Sequence, residues 1–153
     1  MYTDDLLIVD HEPKVAMDYL ASRYTLKPGS VKEPDSYLGA QVSKFYIDGA
    51  DDPLKPRWAM SLEKYVKQAV ADVETELEKI DQILPTRITT PVSQGYRPEL
   101  DQSRELDAKR GQYYQSLIGV LRWICELGRI DVLVAVSMLS RYVVSPREGH
   151  LQQ

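Results

Sequence analysis

Tyr2-Thr3-Asp4-Asp5-Leu6-Leu7-Ile8-Val9 is the stretch on which the reading of the chain turns. Leu6 to Val9 form an apolar run bounded by polar residues, which reads as a buried strand. The two carboxylates ahead of it read as a turn between two strands. Only Met1 and Tyr2 stand where the first of those strands would be. The expectation is therefore a sequence truncated at its N-terminus, as when an internal Met is taken for the start. Asp4 and Asp5 also carry chemistry. Two carboxylates on a tight turn project hard oxygen ligands into a small space, and Mg²⁺ takes such ligands, keeps several waters and is completed by substrate phosphates. Taken alone, the dipeptide reads more readily as a solvated surface turn than as a metal site.

Outward from that stretch, Pro13 suits the first turn of a helix, with Val15, Ala16, Tyr19 and Leu20 on one face. Pro28 and Gly29 stop that unit. Tyr37 to Ile47 has strand character, residues 48–56 make a turn or short loop, and Arg57 to Met60 return as a second strand, giving a hairpin. Ser61 is a good N-cap. After it Leu62, Tyr65, Val66, Ala69, Val70, Val73, Leu77 and Ile80 keep one helical stripe. Pro85 to Gly111 carries three prolines and two glycines and reads as a long irregular connection. A helix follows near Tyr114–Leu127, with Leu117, Ile118, Leu121, Ile124 and Cys125 on one face and Gly128 ending it. Another takes Asp131 as N-cap, turns Val132, Val136, Leu139 and Val143 inward and closes at Pro146. His150 to Gln153 open a further helix. There are no internal repeats.

Composition narrows the class. The chain is 43% hydrophobic and 27% charged, ordinary for a globular protein. No apolar run approaches the roughly 18 residues of a membrane span, so no membrane partner is expected. The acidic start lacks the basic region of a signal peptide. A lone Cys125 cannot form an internal disulfide and points to a reducing compartment. With His11 and His150 far apart, it argues against a zinc site. The net charge of −4 argues against a strong autonomous grip on nucleic acid. Residues 1–60 carry 7 basic and 10 acidic side chains, whereas residues 113–153 carry 4 and 3. The acidity therefore lies early, where a metal site could use it.

The order of short motifs resembles the reverse transcriptases of copia-type LTR retrotransposons. Tyr2-Thr3-Asp4-Asp5 before an apolar strand resembles their polymerase centre. Tyr37-Leu38-Gly39 resembles the Tyr/Phe-Leu-Gly found downstream of it. Ser61-Leu62-Glu63-Lys64-Tyr65-Val66 resembles their Leu-Ser-Gln-x-x-Tyr-Ile helix start, and Thr90-Pro91-Val92 their Thr-Pro-Met/Val. Tyr114-Gln115-Ser116-Leu117-Ile118-Gly119-Val120-Leu121 resembles Tyr-Arg-Ser-x-x-Gly-x-Leu. Arg129-Ile130-Asp131 and Val136-Ser137-Met138-Leu139-Ser140-Arg141-Tyr142 resemble Arg-Pro-Asp-Ile and Val-x-x-Leu-Ser-Arg-Tyr, and Pro146 and His150 match a Pro…His ending. The set covers essentially the whole chain in order. Thr3 stands where many relatives carry Val, and the Pro usual before Asp131 is absent.

The resemblance implies an α+β fold: the C-terminal part of a polymerase palm over residues 1–60, with a primer-gripping hairpin within 37–61. A thumb helix over 61–84, the irregular connection 85–112 and a helical thumb or connection segment over 113–153 would follow. It implies two-metal nucleotidyl transfer with two Mg²⁺ ions, Asp4 and Asp5 being the carboxylates, Asp4 the surer ligand. Tyr2 would lie under the nascent pair. Lys27 would stand near the leaving pyrophosphate as an acid or charge stabiliser, although a solvated loop lysine reads the same in sequence. Tyr37, Leu38 and Gly39 would meet the primer, or else be two core residues and a bulge. Lys64 and Lys67 would approach phosphates, or else belong to a solvated face shared with Glu63, Glu74, Glu76 and Glu78. Trp58 and Trp123 read as packing residues.

Partners of the complete enzyme would be an RNA or DNA template-primer, deoxynucleotides, and the fingers, remaining palm and ribonuclease H parts of the polyprotein. Its place would be the cytoplasm, in a virus-like particle, or the nucleus. The palm's other metal-binding Asp and the fingers are not in these residues, so the chain alone is expected to be inactive. Two rival readings stand beside this one: a non-catalytic nucleic-acid-binding or interaction relic, and an unrelated α+β domain with a chance Asp-Asp turn.

Overall fold

The computed structural model describes residues 6–47 and 56–153. The chain divides into two compact units, Met1–Tyr65 and Val66–Gln153. In the first, helix α1 spans Pro13–Arg23. Pro13 stands at its first turn, where no N–H is needed, and Tyr24 ends it in extended backbone. The expected buried face is not covered: no residue of α1 is buried, and Val15 and Tyr19 are each 62% exposed. Leu6 to Val9 also depart from expectation, forming no strand among the described residues and leaving Val9 84% exposed. An apolar run becomes a strand only where a neighbour takes its backbone N–H and C=O groups, and none of the described residues does so.

The same unit holds an antiparallel sheet of β1 (Ser36–Tyr37), β2 (Ala40–Phe45) and β3 (Arg57–Ser61), in that spatial order. β2 and β3 are the expected hairpin, in register from Gln41 opposite Ser61 to Phe45 opposite Arg57. Residues 48–55 of its loop lie outside the described residues. The expected single run from Tyr37 is broken. Tyr37 pairs with Ala40, leaving Leu38 and Gly39 as a two-residue loop with φ of 51° and 84°. Two positive φ values are the signature of a type I′ turn, whose twist matches that of the flanking strands. Gly39 is thus a turn residue, not a bulge, and Leu38 adopts a backbone that costs an L side chain roughly 1–2 kcal/mol. Ala40 and Val42 are the buried residues of this sheet.

Helix α2, Glu63–Glu78, runs across the boundary of the units. The Ser61 hydroxyl accepts the Glu63 N–H at 3.3 Å, as an N-cap should. Leu62, Tyr65, Val66, Ala69, Val73 and Leu77 form a half-buried stripe. The helix stops short of Ile80, which is 57% exposed. Asp81 takes a left-handed φ of 55°, its N–H reaches the Glu78 carbonyl, and the Gln82 N–H reaches the Leu77 carbonyl. That is a Schellman ending built on Asp instead of Gly.

In the second unit α3 spans Ala108–Glu126, beginning earlier than the expected Tyr114 because Asp107 caps it by accepting the Arg110 N–H at 2.9 Å. Gly128, with φ 131°, follows its end. A 3₁₀ turn at Ile130–Val132 leads into α4, Leu133–Ser140, and α5 spans Glu148–Leu151. Asp131 is not the N-cap. Its carboxylate is occupied by the Arg129 guanidinium in a two-pronged pair at 2.8 and 2.7 Å. Tyr114, Ile118 and Leu139 form the core, with Val92, Tyr96, Leu106, Val143 and Leu151 packed around them. Burying each large apolar side chain contributes roughly 1.5–3 kcal/mol. The Tyr114 hydroxyl is satisfied by the Leu139 carbonyl at 2.8 Å, and burial pushes that phenol up to about 12.

Candidate nucleic-acid interface

Tyr2, Asp4 and Asp5 lie outside the described residues. Lys27 sits exposed in the turn after α1, where its carbonyl accepts the Ser30 N–H at 3.0 Å and Gly29 takes φ 73°. The β1–β2 turn and the start of α2 do meet. A shallow depression of about 350 Å³ is lined by Asp35, Ser36, Gly39, Ala40, Gln41 and Lys64. The nearby Lys32 ammonium, 2.9 Å from Asp35, holds that carboxyl below its usual range. Tyr37 and Leu38 are half-buried and Gly39 is exposed. A Cβ on Gly39 would meet only the Tyr65 ring, at 3.9 Å, so the turn's φ, not crowding, selects glycine here. Lys67 lies on α2 beyond Lys64, also exposed.

Two residues stand out that the sequence did not single out together. Lys44 and Trp58 face each other across β2 and β3. The Lys44 ammonium lies 4.8 Å from the Trp58 ring centre and 2.6 Å from a Glu33 carboxylate oxygen. Trp58 is 44% exposed and so is not the packing residue expected. Met60, opposite Val42 and on the same face, is equally exposed. The ammonium lies over one face of the exposed indole, with its charge met by Glu33, so a flat ring can stack only on the opposite face. The signal lay in the alternation of 40–45 and 57–61, but it needed the register to become visible.

No three His, Cys, Asp or Glu side chains converge to hold a metal ion among the described residues. A second polar cluster lies in the other unit. The Tyr96 hydroxyl donates to Asp101 at 2.6 Å, the Ser103 N–H donates to Asp101 at 2.8 Å, and the Gly149 N–H donates to the Ser103 hydroxyl at 2.8 Å. Hydrogen bonds from Ser103 and Tyr96 hold the Asp101 carboxyl down to about 2, while burial and then Asp101 raise the Tyr96 phenol. His150, 2% exposed, accepts the Arg147 N–H and meets the Pro98 carbonyl, each at 3.1 Å. Ser103 and His150 are each committed to backbone partners, so the cluster offers no nucleophile with a free base. Cys125 is buried, and burial pushes its thiol up, which makes it unreactive.

No protein-family model and no solved structure matches the chain. It is similar to a protein assigned to transposon Ty5-1 of Saccharomyces cerevisiae, 28% identical over 155 aligned positions. The alignment covers 99% of this chain and 44% of that protein, so the chain spans less than half of its relative's length. A likeness that runs through both units gives this chain a transposon-related origin.

Proposed function

We propose that the chain is part of an RNA-directed DNA polymerase from a copia-type retrotransposon, and that its first 60 residues belong to the palm. The observation that carries the reading is the ordered motif set, from Tyr2-Thr3-Asp4-Asp5 to Pro146 and His150, in a chain similar to a transposon protein over nearly all of its length. Three structural features support it. The β2–β3 hairpin runs directly into the long helix α2, as a primer grip runs into a thumb. The depression beside the β1–β2 turn joins Gly39 to Lys64. The exposed faces of Leu6–Val9 and α1 suit segments that pack against further palm strands.

In this reading Asp4 and Asp5 supply carboxylates for Mg²⁺, joined by a further palm Asp from elsewhere in the polymerase. The metal would supply charge neutralisation at the reacting phosphates. Tyr2 supports the nascent pair, and Lys27 stabilises charge on the departing pyrophosphate. Tyr37, Leu38 and Gly39 hold the primer end, with Trp58 as a stacking surface, and Lys64 and Lys67 meet backbone phosphates. Substrates are deoxynucleotides on an RNA- or DNA-templated primer, and the site of action is a cytoplasmic particle or the nucleus.

Primer extension by the parent polymerase that contains these residues tests the reading. Asp4→Asn should lower incorporation at least about 100-fold, since the metal's share of the barrier is several kcal/mol. Unchanged incorporation would overturn it.

A further inference from the structure

Strand β3 is an outer strand of the sheet, and among the described residues no strand lies on its far side. The register tells which backbone groups that edge presents. The Val42 N–H is given to the Asp35 carbonyl at 3.0 Å, so Val42 turns its N–H and C=O toward β1. Successive residues of a strand turn theirs to opposite sides. Gln41, Ser43 and Phe45 therefore face β3 and take Ser61, Ala59 and Arg57 as hydrogen-bonded partners. Trp58 and Met60 are left with both N–H and C=O on the open edge. Their side chains share one face of the sheet, and each is 44% exposed. Open edges are commonly guarded by charge, proline or a bulge. From Trp58 to Ser61 the strand carries none of these.

We propose that this edge pairs with the same edge of a second copy of the chain, antiparallel about a twofold axis at Ala59. The free groups fix the register. Trp58 of each copy exchanges both backbone hydrogen bonds with the partner's Met60, so every open N–H and C=O of the edge gains a mate. The side chains agree with the backbone. Each indole stands across from the partner's Met60, an aromatic–sulfur pair on the face where both are exposed. On the other face Ala59 meets its own copy, small enough for a close approach, and Arg57 stands opposite the partner's Ser61. No like charges face each other. An unrelated strand would find the same backbone groups, but nothing on this edge selects its side chains, whereas the twofold matches every one. The strand supplies five residues a side, against the roughly 20–30 of a standard interface, so the dimer is weak and forms at high concentration. The inference rests on strand register and not on the polymerase reading.

Sedimentation of the full chain over roughly 1–500 µM should show a monomer–dimer equilibrium, which Trp58→Ala weakens about tenfold. The axis gives the decisive variants, because a charge placed at Ala59 meets itself. Ala59→Lys and Ala59→Glu should each stay monomeric, and an equimolar mixture of the two should restore the dimer. Should either not fold, Ala59→Cys decides. Cα atoms about 4.5 Å apart in a non-hydrogen-bonded pair allow a disulfide, and the native thiol, Cys125, is buried. Glutathione disulfide should cross-link Ala59→Cys into a dimer at least about tenfold faster than Ser43→Cys, which lies on β2, a strand further from the axis. A chain monomeric throughout, a mixture that does not reassociate, or equal cross-linking of the two cysteine variants overturns the proposal. So does slow amide exchange at Trp58 and Met60 in the dilute monomer, which would mean that another segment of the chain, such as Leu6–Val9, already holds the edge.

Discussion

The carboxylate of Asp101 occupies the space that a side chain on Gly149 would need: a Cβ built there would lie 1.9 Å from one of its oxygens and 2.8 Å from its carbon. Gly149 is therefore required by close packing between the connection and α5, not by an unusual backbone angle. Gly149→Ala should destabilise the second unit by about 1–3 kcal/mol through overpacking. Chemical denaturation of the purified chain measures it. Gly119, in mid-α3 with nothing within 4 Å of its would-be Cβ, is the control: Gly119→Ala should stabilise by roughly 0.5–1 kcal/mol.

Asp101 also sets an acid limit. Its carboxyl is held down to about 2, below the ordinary 3.8. The folded form thus keeps the charge to lower pH than the unfolded one. The resulting stability is present above the ordinary value and is lost as pH falls from there through the depressed one. Denaturation midpoints measured between about pH 5 and pH 2 should fall across that window, and Asp101→Asn should remove this part of the slope while lowering stability at neutral pH.

Tyr114→Phe removes the donor to the Leu139 carbonyl while keeping the ring. The Leu139 carbonyl keeps the Tyr142 N–H at 3.1 Å, so the loss of one of its hydrogen bonds should cost about 0.5–1.5 kcal/mol. A thermal unfolding scan would show it as a lower midpoint with α3 otherwise intact.

For the proposed polymerase, Trp58→Ala should weaken primer–template binding by the parent enzyme by about 1–3 kcal/mol if a base or its sugar rests on the indole. Gly39→Ala should weaken it as well, through the strain of about 1–2 kcal/mol placed on the turn. Salt-titrated binding isolates the stacking part, because losing a neutral ring leaves the salt slope unchanged. The isolated chain should show no template-dependent synthesis in primer extension.

Periodicity made some elements legible and left others hidden. The stripe from Leu62 to Leu77 found α2, and Ile118, Ile124 and Cys125 found α3, because burial there follows the 3.6-residue repeat. The Leu38–Gly39 turn was missed, since leucine carries no turn signal and only the pairing of Tyr37 with Ala40 reveals it. Leu6 to Val9 read as a strand because their composition is right, but a strand also needs a neighbour. Asp131 read as a cap because it precedes an apolar helix, yet the neighbouring Arg129 claims its carboxylate. The stretch Pro85–Gly111 read as loose. Its order comes from bonds across the sequence, such as Arg147 to Ser103, Gly149 to Ser103 and His150 to Pro98, and no local pattern announces those. Of the site residues, Gly39 and Lys64 are brought to one depression, and the Lys44–Trp58 pair became visible only through strand register.

The bonds that fasten residues 146–153 to the connection ahead of α3 have a consequence for how the chain is made. Ser103 meets Gly149 across 46 positions, His150 meets Pro98 across 52, and Ser93 meets Gln153 across 60. Helix α3 can coil as soon as it leaves the ribosome, but the connection before it must wait until residues 146–153 have been made before its polar groups find their mates. A stop codon just ahead of Pro146 would thus spare α3 and α4 but leave the connection with nothing to close on, a form that proteases should find quickly.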